Sequence, residues 1–177
     1  MSAPRIPPLP YADWDTEALS VIAPGRKLPP SNVLGLLAHH PSLARAFLTF
    51  NAHLLGASTL SAHTRELAIL RMAWRRRCQY EWSHHLAIAR RAGVTDEEIA
   101  QVRTGPATPV SRAVDELDEA SCLSDETYQA LADDLDDRQM LDLVFTIGNY
   151  ALLAMAFRTF GVQLDPGASD DGFEKEA

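Results

Sequence analysis

Cys78, Glu81 and His85 are the residues of this chain whose types and spacing can do chemistry together. On a continuous helix of 3.6 residues per turn the three positions fall within an arc of about 60°, so a thiol, a carboxyl and an imidazole share one face. Further upstream, Glu66 stands beside the apolar Leu67, Ile69 and Leu70 and supplies a second carboxyl. Partial burial raises a carboxyl pKa towards neutrality, where the group can shuttle protons. Glu81 and His85 are spaced i, i+4 for a hydrogen bond that fixes the imidazole tautomer. Cys78, at a helix N-terminus after Arg75-Arg76-Arg77, is expected to have a lowered thiol pKa. Plainer alternatives stand beside each role: an inert buried thiol, a Glu66 salt bridge with Arg65, Arg71 or the arginine run, and an exposed Glu81–His85 pair.

Tyr80, Trp82, His84 and Tyr150 are candidates for lining a substrate pocket, although aromatic residues on apolar helices usually serve the core. Nothing ties His53 or His63 to the pocket, and Cys122 reads as structural. The arginine run could attract a substrate carboxylate, or be a solvated face. Glu66, Glu81, His84 and His85 match neither the spacing of zinc proteases nor that of di-iron bundles, so no metal is expected. No Gly-rich loop opens a helix after a strand, and no cofactor is expected either.

An acidic residue, a Cys twelve positions on that opens a C-x-x-C pair, and a His four beyond the second Cys form the signature of alkylhydroperoxidase D-like (AhpD-like) proteins in the carboxymuconolactone decarboxylase superfamily. This chain resembles that pattern at Glu66, Cys78 and His85, but Glu81 stands where the second Cys belongs. Gly148-Asn149-Tyr150 and the run Phe160 to Asp165 resemble the final-helix ending of the decarboxylase-like members. The resemblance implies an all-α, single-domain helical bundle that assembles as a trimer or hexamer, with Glu66, Cys78, Glu81 and His85 as catalytic residues. A dithiol cycle needs a second thiol to resolve the first as a disulfide. The resemblance without that thiol points to a cofactor-independent lyase acting by proton transfer on a small organic acid, a carboxylated lactone or keto acid. His85 is then the proton donor, Glu81 its orienting group, Glu66 a second shuttle and Cys78 a pocket hydrogen-bond donor. One alternative is a single-Cys peroxidase or thiol reductase whose sulfenic acid an external thiol resolves. Another is a non-catalytic oligomeric ligand-binding protein.

The elements that must position these groups are helical. With 177 residues, 46% of them hydrophobic, the chain can fill one core but is short for two. A net charge of −8 disfavours binding to nucleic acid or an anionic membrane. Two cysteines and an N-terminus without a continuous apolar run read as a cytoplasmic protein. A Pro-rich arm and a short helix near Asp13 to Ile22 are expected over residues 1–30, a helical domain over 31–165, and a disordered acidic tail over 166–177. Ser31, Ser61, Thr95, Ser124 and Asp136 or Asp137 mark helix starts, while Gly56, Gly93 and Gly105 mark ends. No strand pattern occurs. Leu143 to Phe157 is nearly all apolar, yet too short to cross ~30 Å of hydrocarbon. It is expected to be a core helix completed by a neighbouring subunit.

Overall fold

The computed structural model describes residues 3–169 and 173, and among them it is all helix and loop, without a strand. The α-helices among the described residues are α1 (Thr16–Leu19), α2 (Asn32–Leu37), α3 (Pro41–Gly56), α4 (Ala62–Arg75), α5 (Gln79–Arg91), α6 (Asp96–Thr104), α7 (Pro109–Ala120), α8 (Asp125–Ala132) and α9 (Asp137–Phe160). Their starts follow from side chains that accept the orphan amides of the first turn: Ser31 from Leu34, Ser61 from Thr64, Ser124 from Thr127. Thr95 and Asp136 form full capping boxes with Glu98 and Gln139. Each such cap contributes about 1 kcal/mol. The expected helix over Asp13 to Ile22 is broken into two 3-10 turns flanking α1. Trp14 is the cause: it is buried in extended conformation with its indole N–H on the Leu9 carbonyl, and Asp15 then caps α1 afresh.

Helix α4 is the centre of the bundle, packed against α5, α9, α7 and α6. From Ala68 to Trp74 every residue on it is buried, and so is Glu66. The principal core joins α4 to α7 and α9 through Ile69, Met72, Val114, Leu143 and Ile147. A second core lies on the other side of α4, where Trp74, Trp82, Leu86 and Ile99 meet Phe173. Phe173 packs edge-on against Trp74 at 5.1 Å between ring centroids, so the chain is anchored there. The rest of the expected disordered tail, apart from residues 166–169, lies outside the described residues.

The corner between α4 and α5 decides which faces meet. Arg77 takes a left-handed conformation (φ 53°), and the Cys78 amide closes the turn onto the Ala73 carbonyl at 2.8 Å. The arginines leave the corner sideways. Arg75 pairs with Asp118 and Glu119 of α7, Arg76 with Asp118, and Arg71 holds Asp115 through two hydrogen bonds of 2.8 and 2.7 Å. Arg71, Arg75 and Arg76 therefore form a clamp between α4 and α7, while Arg77 lies by the Trp74 ring.

The last helix is longer than the apolar run within it. Its 24 residues are long and apolar enough to cross a membrane by length and composition, but most of its apolar window is buried against the bundle. The remainder forms a stripe: Leu141, Phe145, Leu152 and Met155 are 50–60% exposed, with Gly148 between them. These positions alternate steps of four and three, the spacing of a helix–helix seam. Nothing surrounds the position a Cβ would take on Gly148, so another backbone can approach closely there. A second copy of this chain is the expected cover. Light scattering at micromolar concentration is expected to give a multiple of the monomer mass, and Phe145→Glu, which leaves the buried face intact, to return the monomer.

Candidate active site

The corner geometry turns Glu66 of α4 towards α5, and the carboxylate meets His85 in the interior. Glu66 Oε2 lies 2.7 Å from His85 Nδ1, and its other oxygen accepts from Arg65 Nε at 3.1 Å. Glu66 is wholly shielded from solvent. A carboxylate so placed depends on these two partners, because an unpaired charge in the interior is costly. The far imidazole nitrogen, Nε2, lies 3.0 Å from the hydroxyl of Tyr150 on α9, whose ring stands edge-on to the imidazole. With Nδ1–H donated to Glu66, Nε2 is the acceptor and the phenol the donor. Burial first, then the Glu66 and Glu81 carboxyls, push the Tyr150 phenol well above its ordinary range, so it keeps its proton.

The expected Glu81–His85 hydrogen bond is not formed, since both imidazole nitrogens are engaged elsewhere. Glu81 is buried with neither carboxyl oxygen in a hydrogen bond. Burial pushes this carboxyl well above the usual carboxylate range, and the adjacent Cys78 thiol offsets only part of that. Burial thus favours the protonated form of Glu81, which in that form is a hydrogen-bond donor with no acceptor among the described residues.

Cys78 departs from expectation in the opposite direction. It sits at the N-cap of α5, but the thiol is buried in the principal core. Burial, and then the Glu81 carboxyl, raise its pKa far above that of a free thiol. Arg75 and Arg76, which were expected to lower it, pair with α7, and Arg77 lies by the Trp74 ring; Arg158 of α9 opposes the rise only weakly.

Tyr150, His85 and Glu81 face a cleft of about 530 Å³ between α3, α5, α9 and the loop before α2, whose walls are mostly apolar. Leu28, Leu34, Leu55, Ile88, Leu153 and Phe157 supply much of that surface. At its edge Asp165, which follows α9, accepts from the Tyr80 hydroxyl and the Asn32 amide, each at 2.7 Å. His84 stacks on Tyr80 and lies 3.2 Å from Asp165. Burial lowers the His84 pKa, with Asp165 acting against it.

Tyr80, His84 and Tyr150 thus line the cleft, whereas Trp82 does not. Trp82 faces the second core, between Trp74 and Phe173 and beneath the Arg103 guanidinium. His53 and His63 lie elsewhere, in ion pairs with Asp142 and Glu98. Asp165 and Asn51 are cleft residues that the sequence did not single out as site residues; the signal for Asp165 was its place at the end of the Phe160 to Asp165 run that resembles the family's final-helix ending.

The pattern of the carboxymuconolactone decarboxylase family matches residues 41–114, which span α3 to the first half of α7 and hold Glu66, Cys78, Glu81 and His85. That match covers less than half of the chain. Two solved structures share its fold. One is an uncharacterized peroxidase-related protein from Ralstonia eutropha JMP134 with an alkylhydroperoxidase AhpD core. It is 22% identical, with a TM-score of 0.74, over 98% of this chain and 95% of that one. The other is a protein of unknown function from Agrobacterium tumefaciens, named for the antioxidant defence protein AhpD. It is 17% identical, with a TM-score of 0.63, over 73% of this chain and 94% of that one. No curated protein matches in sequence. The decarboxylase-family segment and the AhpD-like fold fit the sequence resemblance.

Two outcomes test this electrostatic reading. Because burial raises the Glu81 pKa in the folded protein, its contribution to stability is fully present below the ordinary carboxyl range. It is lost as pH rises towards the raised folded-state pKa, at about 1.4 kcal/mol per pH unit. Glu81→Gln is expected to flatten that part of the pH–stability curve measured by denaturant unfolding. Iodoacetamide at pH 7.5 is expected to alkylate the exposed Cys122 well before Cys78 in the native protein.

Proposed function

We propose that this protein is a cofactor-independent enzyme that moves a proton at carbon beside a carbonyl in a small organic substrate, a lyase-like activity of the decarboxylase kind. The observation that carries the reading is the buried chain Glu66–His85–Tyr150, which opens on an apolar cleft beside Glu81. In the forward direction the Tyr150 oxygen takes a proton from the substrate carbon as its own proton passes to His85 Nε2. The imidazolium so formed is held by Glu66. Charge develops on the carbonyl oxygen, where the Glu81 carboxyl donates a hydrogen bond or the proton itself. Loss of carbon dioxide from a β-keto acid or a vinylogous carboxylate leaves the same enolate. After proton abstraction the relay runs backwards to protonate carbon; after decarboxylation Tyr150 gives its own proton to carbon and regains one from solvent water, which supplies the proton that replaces carbon dioxide.

The apolar walls favour this chemistry because donors aimed into a water-poor site act with little screening. Peroxidase chemistry at Cys78 has less support. The thiolate is the nucleophile, and burial beside a carboxyl suppresses it.

Proton exchange gives a direct test. With cyclic ketones and β-keto acids in deuterated water, NMR is expected to show loss of α-hydrogen signal or release of carbon dioxide above the uncatalysed rate. Tyr150→Phe is expected to lower that rate by about a hundredfold, at a stability cost of about 1–2 kcal/mol for the hydrogen bond lost to His85. Cys78→Ala is expected to retain most of the rate. Hydroperoxide reduction that disappears in Cys78→Ala would transfer the assignment to thiol chemistry.

A further inference from the structure

The charges around the cleft select among carbonyl substrates. Among the described residues that line it there is no lysine and no arginine. The cations near it in sequence are turned elsewhere: Arg65 to Glu66, Arg90 to Asp96, Arg158 to the Arg76 carbonyl, Lys27 to the Tyr11 ring and Arg77 to the Trp74 ring, and neither these nor Arg26 line the cleft. The groups of fixed sign at the cleft are acidic, and Asp165 at its edge is held in place by the Tyr80 hydroxyl and the Asn32 amide. The histidines provide no ready counter-ion either, since His85 is engaged by Glu66 and Tyr150 while His84 lies against Asp165. A substrate carboxylate entering here would lose its hydration, find no cation, and approach an anion. Desolvating an unpaired charge is among the most costly things a binding site can ask of a ligand.

One polar group does lack a partner. Both oxygens of Glu81, which is 2% exposed and lines the cleft, are without a hydrogen bond. A carbonyl oxygen would fill that vacancy without bringing charge, and the apolar walls would take the rest of the molecule.

From this placement we infer that the cleft binds an uncharged, mostly apolar carbonyl compound, such as a cyclic ketone, ester or lactone, with its carbonyl oxygen on Glu81. The inference rests on the proton-transfer reading for its choice of a carbonyl, and it narrows the substrate from carboxylated to uncharged. It favours enolisation or isomerisation over decarboxylation of a free acid.

The experiment uses two probes that differ essentially in charge, 4-methylcyclohexanone and 4-oxocyclohexanecarboxylate. Binding of each to the full-length chain at pH 7 is measured by titration calorimetry, and α-hydrogen exchange of each by NMR in deuterated water. The ketone is expected to bind at least roughly tenfold tighter than the keto acid. Glu81→Leu, which preserves an apolar filling and so tolerates burial, is expected to weaken ketone binding by roughly tenfold or more. Glu81→Gln keeps a donor and is expected to stay within roughly threefold of the parent. Equal or tighter binding of the keto acid overturns the inference, as does failure of the ketone to bind or indifference of its affinity to Glu81→Leu. Exchange separates this result from the fate of the catalytic proposal. Ketone-selective binding with no exchange removes the proton-transfer reading and leaves the charge selection standing; exchange with a preference for the keto acid does the reverse.

Discussion

The contact between Glu66 and His85 is the constraint on which this structure turns. A carboxylate fully removed from water has to be met from the moment the core closes, and the partner comes from the next helix, across a corner of three residues. If α4 and α5 crossed with different faces together, the charge would be stranded at a cost of several kcal/mol. The same requirement aims Nε2 at Tyr150 and thereby brings the long last helix to the site. One ion pair thus couples the arrangement of three helices to the arrangement of the proton-carrying groups.

Around that pair the interior sorts its acids by what surrounds them. Glu66 has a guanidinium and an imidazole beside it, whereas Glu81, on the adjacent helix, has neither. Two residues of the same type therefore have different partners within one site, one paired with cations and the other with none. That separation is what acid–base chemistry at a fixed pH requires. It also explains how a carboxyl can occupy the place of a thiol: a neutral Glu81 is tolerated in the interior in a way that a carboxylate there would not be.

The helix starts could be read from the chain because they depend on side chains three residues away, as at Ser61 with Thr64 and Thr95 with Glu98. Helical periodicity fixed only the face shared by Cys78, Glu81 and His85; that Glu66, on the preceding helix, joins His85 was implied by the family resemblance. What could not be read depends on distant parts of the chain. Tyr150 is 65 residues from His85, and its role as hydrogen-bond partner to Nε2 appears only once α9 is docked. The thiol pKa was expected to fall because three arginines precede it. Local spacing carries no information that Asp115, Asp118 and Glu119, about forty residues further on, would draw Arg75 and Arg76 away, or that Arg77 would lie by the Trp74 ring. Trp82 failed as a pocket residue on the same ground: its helix has two buried faces, and sequence alone does not say which one borders the cleft.

Arg77, at the corner joining α4 to α5, has a consequence for how such a site can change. A side-chain-bearing residue in the left-handed region costs about 1–2 kcal/mol, a strain that glycine would not incur. Glycine would relieve that strain in the folded chain while widening the range of shapes open to the unfolded one, so the two effects partly cancel. It would also remove the guanidinium that lies 5.8 Å from the Trp74 ring centre. The corner therefore behaves as a stiff joint under tension. Substitutions there can be nearly silent in overall stability and still loosen the angle between two helices, which makes Arg77 a position where the chain can trade precision of the site for tolerance without touching any residue in it.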